Sequence, residues 1–231
     1  MIALVTNDDG IDALGLAALK RVAERFFEEV WVVAPVEQMS QIGHRVTTDE
    51  PIRYESRGER SFAVAGTPAD CTRVALTSLL PKQPDWILSG INHGGNLGRH
   101  DFAISGTVAA VREGAFAGIR GIAVSHFIKR ERQADWDLAS ERVGRVFESV
   151  RERGLKEGEF WNVNLPHPLP GEREPELVFC DQERYSLQVV YEEEERGCLI
   201  YKGDYHERSR RSGTDVDVCF GGDVAISRVS V

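Results

Sequence analysis

The sequence predicts an α/β protein with a doubly wound, mostly parallel sheet, because apolar runs typical of buried strands alternate with helical stripes. The first apolar run begins at Ile2 and ends in a polar turn over residues 6–10. A helix is predicted over 14–27, where apolar residues recur at positions 16, 19, 22, 23 and 26. A second buried strand follows over 30–34. These three segments form a βαβ unit.

The same alternation continues through most of the chain. Strands are predicted over 62–65, 86–88, 122–124 and 161–165, and helices over 69–80, 107–116 and 135–153. Pro81 closes the first of these helices, because proline cannot continue one. After Pro166 the pattern changes to proline, glycine and short alternating stretches.

The region 166–223 is predicted to form β-hairpins that project from the core. Alternating stretches over 187–191 and 198–201 flank a turn at Arg196-Gly197. The acidic run 192–195 is more typical of a solvated face than of a metal site, because successive strand side chains point to opposite faces. With a last strand over 224–229, we expect one domain over 1–231: a core (1–165), hairpin projections (166–223) and a terminal strand (224–231).

Composition excludes several classes of protein. The 231 residues are 42% hydrophobic and 28% charged, which is typical of a globular protein. The net charge of −9 argues against binding a nucleic-acid polymer. No apolar run is long enough to span a membrane and no signal peptide is evident, so we expect a cytoplasmic protein. The four cysteines lack metal-ligand spacing and are interpreted as incidental or buried thiols.

Two adjacent carboxylates, Asp8 and Asp9, stand where the first strand ends. The carboxyl edge of a parallel sheet is where ligands bind, and two acids there are costly unless a cation holds them. Gly10 permits the turn that would bring both to one ion. The alternative interpretation is a polar turn that only caps the following helix.

Three later segments are predicted to reach the same edge, since each follows a strand or leads on from one. They are the long connection 34–44 with Ser40 and His44, the glycine-rich segment 89–98 with Asn92 and His93, and Ser105-Gly106-Thr107, reached without regular structure. Asp8, Asp9, Ser40 and Asn92 offer the oxygen ligands of a hard cation such as Mg²⁺, Mn²⁺ or Ca²⁺, with positions left for water and substrate. Ser105 and Thr107 begin a predicted helix, whose free N–H groups favour a phosphate, although Ser105 could be a plain N-cap.

Five sequence motifs together resemble the SurE family of metal-dependent 5′-nucleotidases, also called survival proteins. They are TNDDGIDALGL (6–16), VVAP followed by Ser40 and Gly43-His44, GTPADC (66–71), PDWILSGINHGGNLG (84–98) and SGTVAAVREG (105–114). They cover the first half of the chain in the family's order. The second half matches only loosely, through Gly213-Thr214-Asp215 and the last strand.

The resemblance implies a three-layer Rossmann-like core, one divalent cation (Mg²⁺ or Mn²⁺) per subunit and homodimers or tetramers assembled through C-terminal projections. It implies that Asp8, Asp9, Ser40 and Asn92 are the metal ligands and that Asn96, Ser105, Gly106 and Thr107 contact phosphate. The chain differs from the usual family pattern at Gln41 and Ile104, in an apparent extra residue between Leu97 and Ser105, and in ending just after its last strand.

The predicted chemistry is metal-assisted hydrolysis of nucleoside 5′-monophosphates, with 3′-monophosphates or short polyphosphate as further substrates. Asp8 or Asp9 would orient the attacking water and take its proton, and His44 or His93 would protonate the leaving group. Two alternatives use the same pocket: a phosphatase with an aspartyl-phosphate on Asp8, and a nucleotide and metal sensor without turnover. A dinucleotide-binding site is disfavoured, because no GxGxxG motif follows the first strand.

Overall fold

A nine-stranded sheet forms the centre of the computed structural model, which describes residues 1–129, 132–167, 173–185 and 187–231. The spatial order of its strands is β3-β4-β2-β1-β5-β6-β7-β11-β8. The strands are β1 (Ile2–Thr6), β2 (Glu29–Pro35), β3 (Tyr54–Gly58), β4 (Ser61–Val64), β5 (Trp86–His93), β6 (Arg120–His126), β7 (Glu159–Leu165), β8 (Leu177–Phe179) and β11 (Val224–Ser230). Only the β3–β4 and β7–β11 pairs are antiparallel. The predicted α/β fold with a mostly parallel sheet is confirmed.

Helices cover both faces of the sheet. They are α1 (Leu14–Phe26), α2 (Pro68–Val74), α3 (Gly98–Ile104), α4 (Gly106–Phe116), α5 (Trp136–Val150) and α6 (Asp215–Phe220). Alternate β1 residues belong to different cores: Val5 packs with α1 and α5 on one face, and Leu4 packs with α2 and α4 on the other. This alternation follows from the two-residue period of a strand, and it produces three layers. No helix in the described ranges is long and apolar enough to cross a bilayer.

Several element boundaries differ from the sequence prediction. β5 extends through Ser89 to His93, a stretch that was expected to be a loop, and its pairing with β6 is irregular between Ser89 and Asn92. Helix α3 occupies 98–104, where no regular structure was expected. The helix predicted over 69–80 is α2 followed by a π-helical turn, Ala75–Leu79. The short elements β3, β8 and α6 were not predicted.

A second, two-stranded sheet lies apart from the main one. Its strands are β9 (Tyr191–Glu195) and β10 (Cys198–Tyr201), which pair antiparallel around a turn that contains Gly197 at φ 83°. The turn at Arg196-Gly197 is therefore as predicted, while the first strand begins at the end of the predicted stretch and includes the acidic run. All five β9 residues are exposed, which agrees with a solvated face. The projecting hairpin is confirmed.

Close contact between α1 and β5 fixes the first loop beside the glycine-rich segment. A Cβ atom on Gly15 would lie 2.0 Å from the carbonyl oxygen of Ile91 and 3.0 Å from the Trp136 side chain. Any side chain at Gly15 therefore pushes the helix away from the strand. The glycine is required by packing, since its φ is not in the left-handed region.

We expect Gly15→Ala to lower the free energy of unfolding by about 1–3 kcal/mol, the usual effect of overpacking a core. Alanine favours a helix by only ~1 kcal/mol over glycine, which does not offset a backbone clash. Urea denaturation measures the change. Gly154→Ala is the control, because its Cβ would have no heavy atom within 4 Å. Equal stability of the two variants would contradict the packing argument.

Candidate active site

The turn after β1 presents the two carboxylates at the carboxyl edge of the sheet. Gly10 has φ 100°, and the Asn7 side-chain amide donates to the Gly10 carbonyl at 2.9 Å, which closes the turn. The Met39 N–H donates to the Asp8 carbonyl at 2.7 Å. This backbone hydrogen bond attaches the loop that carries Ser40 to the carboxylate turn.

Asp8 lies against the amino end of α4 and is only 4% exposed. The Thr107 hydroxyl donates to Asp8 Oδ1 at 2.6 Å. A Cβ atom on Gly106 would stand 2.8 Å from the Asp8 Cβ, so only glycine permits this approach. Gly106 and Thr107, which the resemblance implied as phosphate contacts, here pack directly against the first carboxylate.

Asp9 lies beside the end of β5, the strand next to β1. The backbone N–H of His93, at the end of β5, donates to Asp9 Oδ2 at 3.0 Å. Burial raises the pKa of Asp9 above its ordinary value, an effect that this hydrogen bond opposes. Burial also raises the pKa of Asp8 from 3.8 to about 6, against the Thr107 hydrogen bond and with a further contribution from the Asp9 charge. Two adjacent carboxylates that resist ionisation are a favourable place for a cation.

Ser40 and Asn92 present neutral oxygens to the same region. The Gln38 amide donates to Ser40 Oγ at 2.7 Å, and the neighbouring Gln41 adopts a left-handed φ of 57°. The Asn92 amide nitrogen donates to the Gly94 carbonyl at 2.8 Å, which leaves its oxygen to face a ligand. The Gly43 N–H donates to the Ile104 carbonyl at 2.9 Å and holds the Ser40 loop near the end of α3.

Asn96 and Ser105 are held rigidly at the other side of the carboxylates. The Asn96 side chain donates to Ser125 Oγ at 2.7 Å, and its backbone N–H donates to Asn164 Oδ1 at 2.8 Å. Ser105 is the N-cap of α4, because its Oγ accepts from the Val108 N–H at 3.1 Å. Its hydroxyl proton remains able to point into the cavity, so the capping and phosphate-binding interpretations are compatible.

One cavity of about 680 Å³ collects most of these residues. Asp8, Ser40, Asn92, His93, Asn96 and Ser105 line it, and Asp9 does not. Its aromatic wall consists of hydrophobic and aromatic side chains from the segment leading into the hairpin, from the hairpin and from the turn after it: Leu187, Val189, Tyr191, Tyr201 and Tyr205. The Tyr191 and Tyr201 rings pack edge to face with centroids 5.5 Å apart. A larger cavity of about 1010 Å³ lies elsewhere and contains none of the predicted site residues.

The two candidate proton donors occupy different environments. The His44 Nε2 atom lies 2.7 Å from Glu113 Oε1 and its Nδ1 lies 3.2 Å from Arg112, so both ring nitrogens have partners on α4. His93 is exposed and lines the cavity. Its ring lies near Trp136, with centroids 6.3 Å apart. The structure therefore places His93, and not His44, at the cavity.

A buried polar clamp attaches the C-terminal region to the glycine-rich segment. Arg208 donates to Asp101 at 2.6 Å and to the Leu97 carbonyl at 3.1 Å, and the Tyr205 hydroxyl donates to Asp101 at 2.9 Å. Asp215 accepts from the Gly98 N–H at 2.8 Å. The sequence analysis missed these residues. Their only signal was the family-like Gly213-Thr214-Asp215 motif.

Comparisons with known proteins show the family of this chain. A family model described as Survival protein SurE matches residues 3–188. The chain belongs to the SurE family. A relative from Nostoc sp., provisionally named a 5′-nucleotidase, is 47% identical over 231 residues, with all of both chains covered. A protein named 5′-nucleotidase SurE from Rhodospirillum rubrum is 36% identical, with 99% of this chain and 89% of the relative covered.

The SurE fold extends through the whole chain. The crystal structure of the SurE protein from Aquifex aeolicus superposes with a TM-score of 0.84 at 30% identity, covering 100% of this chain and 93% of that one. The family resemblance inferred from the motifs is therefore confirmed. The family-model match ends at residue 188, before the hairpin that supplies the aromatic wall of the cavity.

The raised pKa of Asp8 predicts a pH-dependent instability of the metal-free protein. The folded pKa of about 6 exceeds the ordinary 3.8, so the stabilising contribution is complete below pH 3.8 and is lost as the pH rises through 6. Asp8→Asn removes this loss. We expect the variant to gain about 3 kcal/mol over the wild type between pH 4 and pH 8.

Urea denaturation in the presence of a chelator, at several pH values between 4 and 8, measures that difference. Exposed Asp12 provides the control substitution, Asp12→Asn, which should show no such trend. A gap between Asp8→Asn and wild type that stays constant with pH would rule out the ionisation of Asp8 as its cause.

Proposed function

We propose that the chain is a metal-dependent 5′-nucleotidase that hydrolyses nucleoside 5′-monophosphates to a nucleoside and inorganic phosphate. One observation carries the proposal: a single cavity is lined by the buried Asp8 carboxylate, by the N-cap of α4 and by an aromatic wall. A phosphate and a base have these two chemistries. The names of the SurE relatives agree with the reaction.

The polar side chains of the carboxylate turn and of the segments beside it fit a hard divalent cation. Asp8, Asp9, Ser40 and Asn92 offer two carboxylates, a hydroxyl and an amide oxygen, the ligands that Mg²⁺ and Mn²⁺ prefer. In the part of the chain that the structure describes, no three His, Cys, Asp or Glu side chains form a metal-binding group, so the set depends on the neutral oxygens. One cation, when bound, would polarise a phosphoryl oxygen and lower the pKa of a water molecule.

The protein's own groups would position the substrate and move the protons. Asn96 and Ser105 line the cavity and are held by their neighbours, so they are suited to hold the phosphoryl oxygens. The positive end of the α4 helix dipole lies beside Asp8 and favours the negative charge of the phosphoryl group. We assign to Asp9, which is less buried than Asp8, the role of accepting the proton of the attacking water. His93 at the cavity is suited to protonate the leaving oxygen.

The aromatic wall would hold the nucleoside by stacking. Tyr191 and Tyr201 carry hydroxyls, but their rings supply most of the contact area and every base has a π-face. This wall therefore supports broad base acceptance. We include 3′-monophosphates and short polyphosphate as further substrates, because a cavity of about 680 Å³ has room for more than a single phosphate group.

We also propose that the protein works in the cytoplasm as a homodimer or tetramer, without a membrane or nucleic-acid partner. The hairpin and the segment leading into it support self-association, because Leu199 and Val189 respectively are exposed there. The net charge of −9 supports the exclusion of nucleic-acid polymers.

Phosphate release from nucleoside 5′-monophosphates, measured with Mn²⁺, Mg²⁺, Zn²⁺ or a chelator, tests the function. We expect activity with Mn²⁺ or Mg²⁺ that the chelator abolishes, and a loss of at least about 100-fold in kcat/KM for Asp9→Asn. Activity equal to that of Asp9→Asn under every metal would favour the sensor interpretation. A phosphoryl group trapped on Asp8 by rapid quench would favour the aspartyl-phosphate mechanism. Asp12→Asn is the control.

Substituting the aromatic wall should affect substrates that carry a base. For Tyr191→Ala with Tyr201→Ala, we expect KM for AMP to rise about tenfold, because stacking of a base is worth about 1–3 kcal/mol. Ribose 5-phosphate, which lacks the base, should keep its KM within about twofold. Tyr191→Phe with Tyr201→Phe should retain the AMP value. An equal rise for both substrates would show that the hairpin acts on the phosphate site instead.

A further inference from the structure

A second concave region lies beside the start of β7 and shares no lining residue with the nucleotidase cavity. We call it the arginine cavity; it measures about 1010 Å³, and its chemistry-bearing residues are Arg153, Trp161, Phe179, Asp181, Arg211 and Arg228. Trp161 stands near the start of β7, whereas Asn164, three residues on, contacts Asn96 of the nucleotidase site.

Positive charge is concentrated here in a chain whose net charge is −9. An adjoining cavity of about 430 Å³ shares Asp181 and Arg228 and adds Arg99 and Arg184. Together the two cavities are lined by five arginines and one aspartate. Such a local excess of guanidinium groups costs electrostatic free energy unless anions offset it.

The protein offsets this charge only in part. Arg211 pairs with the buried Glu183 at 3.1 Å, but Arg228 reaches Glu159 only at 3.9 Å. Arg153 bonds the Ser149 carbonyl at 3.1 Å and lies over the Phe179 ring at 4.0 Å. Within the described residues, Arg99, Arg153 and Arg184 make no ion pair with a carboxylate. Their guanidinium groups are available to a ligand.

Two buried N–H donors beside these arginines lack a partner. The Trp161 indole nitrogen is buried, as is the side-chain nitrogen of Gln182 in the adjoining cavity, and neither makes a hydrogen bond in the described part of the chain. A buried donor without an acceptor costs about 1–3 kcal/mol. Both orphaned groups are donors, so a ligand rich in acceptor oxygens would satisfy them.

We propose that the arginine cavity binds a small anion that carries linked phosphate groups. The guanidinium fork matches phosphate oxygens, and several forks from separate elements match an anion with more than one phosphate. A nucleic-acid polymer fits less well, since the net charge of the chain repels it. The site is separate from the nucleotidase cavity and does not depend on the proposed catalysis.

Titration calorimetry with inorganic pyrophosphate, in the presence of a chelator, tests the site without any activity measurement. We expect the wild type to bind and Arg153→Gln with Arg228→Gln to lose at least tenfold in affinity. Arg21→Gln with Arg151→Gln removes the same charge from exposed arginines outside both cavities and should change affinity less than twofold. Ser105→Ala, which removes a proposed phosphate contact of the nucleotidase cavity, should also leave affinity within twofold, which separates this site from the nucleotidase site.

Trp161→Phe provides a second test, because it keeps an aromatic ring and removes only the orphaned N–H. Its pyrophosphate affinity should fall several-fold, and its thermal melting curve should show a cooperative transition like that of the wild type. The proposal is wrong if pyrophosphate does not bind the wild type at millimolar concentration. It is equally wrong if the two double-arginine variants lose affinity alike, or if Ser105→Ala abolishes binding.

Discussion

The buried carboxylate of Asp8 is the group on which the rest of the site depends. It lies between the end of β1 and the amino end of α4, and that separation is possible only because residue 106 has no side chain. Thr107 supplies one hydrogen bond to this carboxylate. Further compensation of a negative charge on Asp8 must therefore come from the cavity that it lines. The Ser40 loop, held to the Asp8 carbonyl, and Asn92, beside the Asp9 contact, bring neutral oxygens to that space. The proposed positions of the cation, the phosphate and the attacking water all follow from this one burial.

The sequence was sufficient for the central part of this arrangement. The apolar run at the start, the helical stripe over α1 and the position of two acids at a strand end predicted the sheet and the edge where a ligand binds. Hydrogen-bonding side chains at 40, 92 and 105 were predicted to converge there because each follows or leads on from a parallel strand, and Ser40, Asn92 and Ser105 do line one cavity with Asp8. Family membership, inferred from five motifs, is confirmed by the match over residues 3–188. The roles of the site residues remain predictions.

The remaining features depend on contacts that periodicity does not reveal. Helix α3 was missed because Gly98 at its start is a weak helix residue, yet its N–H is fixed by Asp215 from far along the chain. β5 was cut short because Gly90 and Asn92 are typical of loops, although pairing with β6 keeps them in the sheet. His44 was a plausible proton donor by proximity in sequence, but its two ring nitrogens interact with Glu113 and Arg112. The partner of each of these residues lies 10 or more residues away, and one sequence does not report such pairs.

The strand order at the edge of the sheet has a consequence for how the molecule is made. β11 follows β8 in the chain but lies between β7 and β8, so β8 has no place in the sheet until β11 has been synthesised. The same late event brings Asp181 beside Thr214 and Asp215 onto Gly98. During translation the acids of the first loop therefore exist long before the segment that steadies the glycine-rich loop opposite them. A nascent chain would expose the open edge of β7 in that interval, and chaperones that recognise unpaired strands are expected to act then.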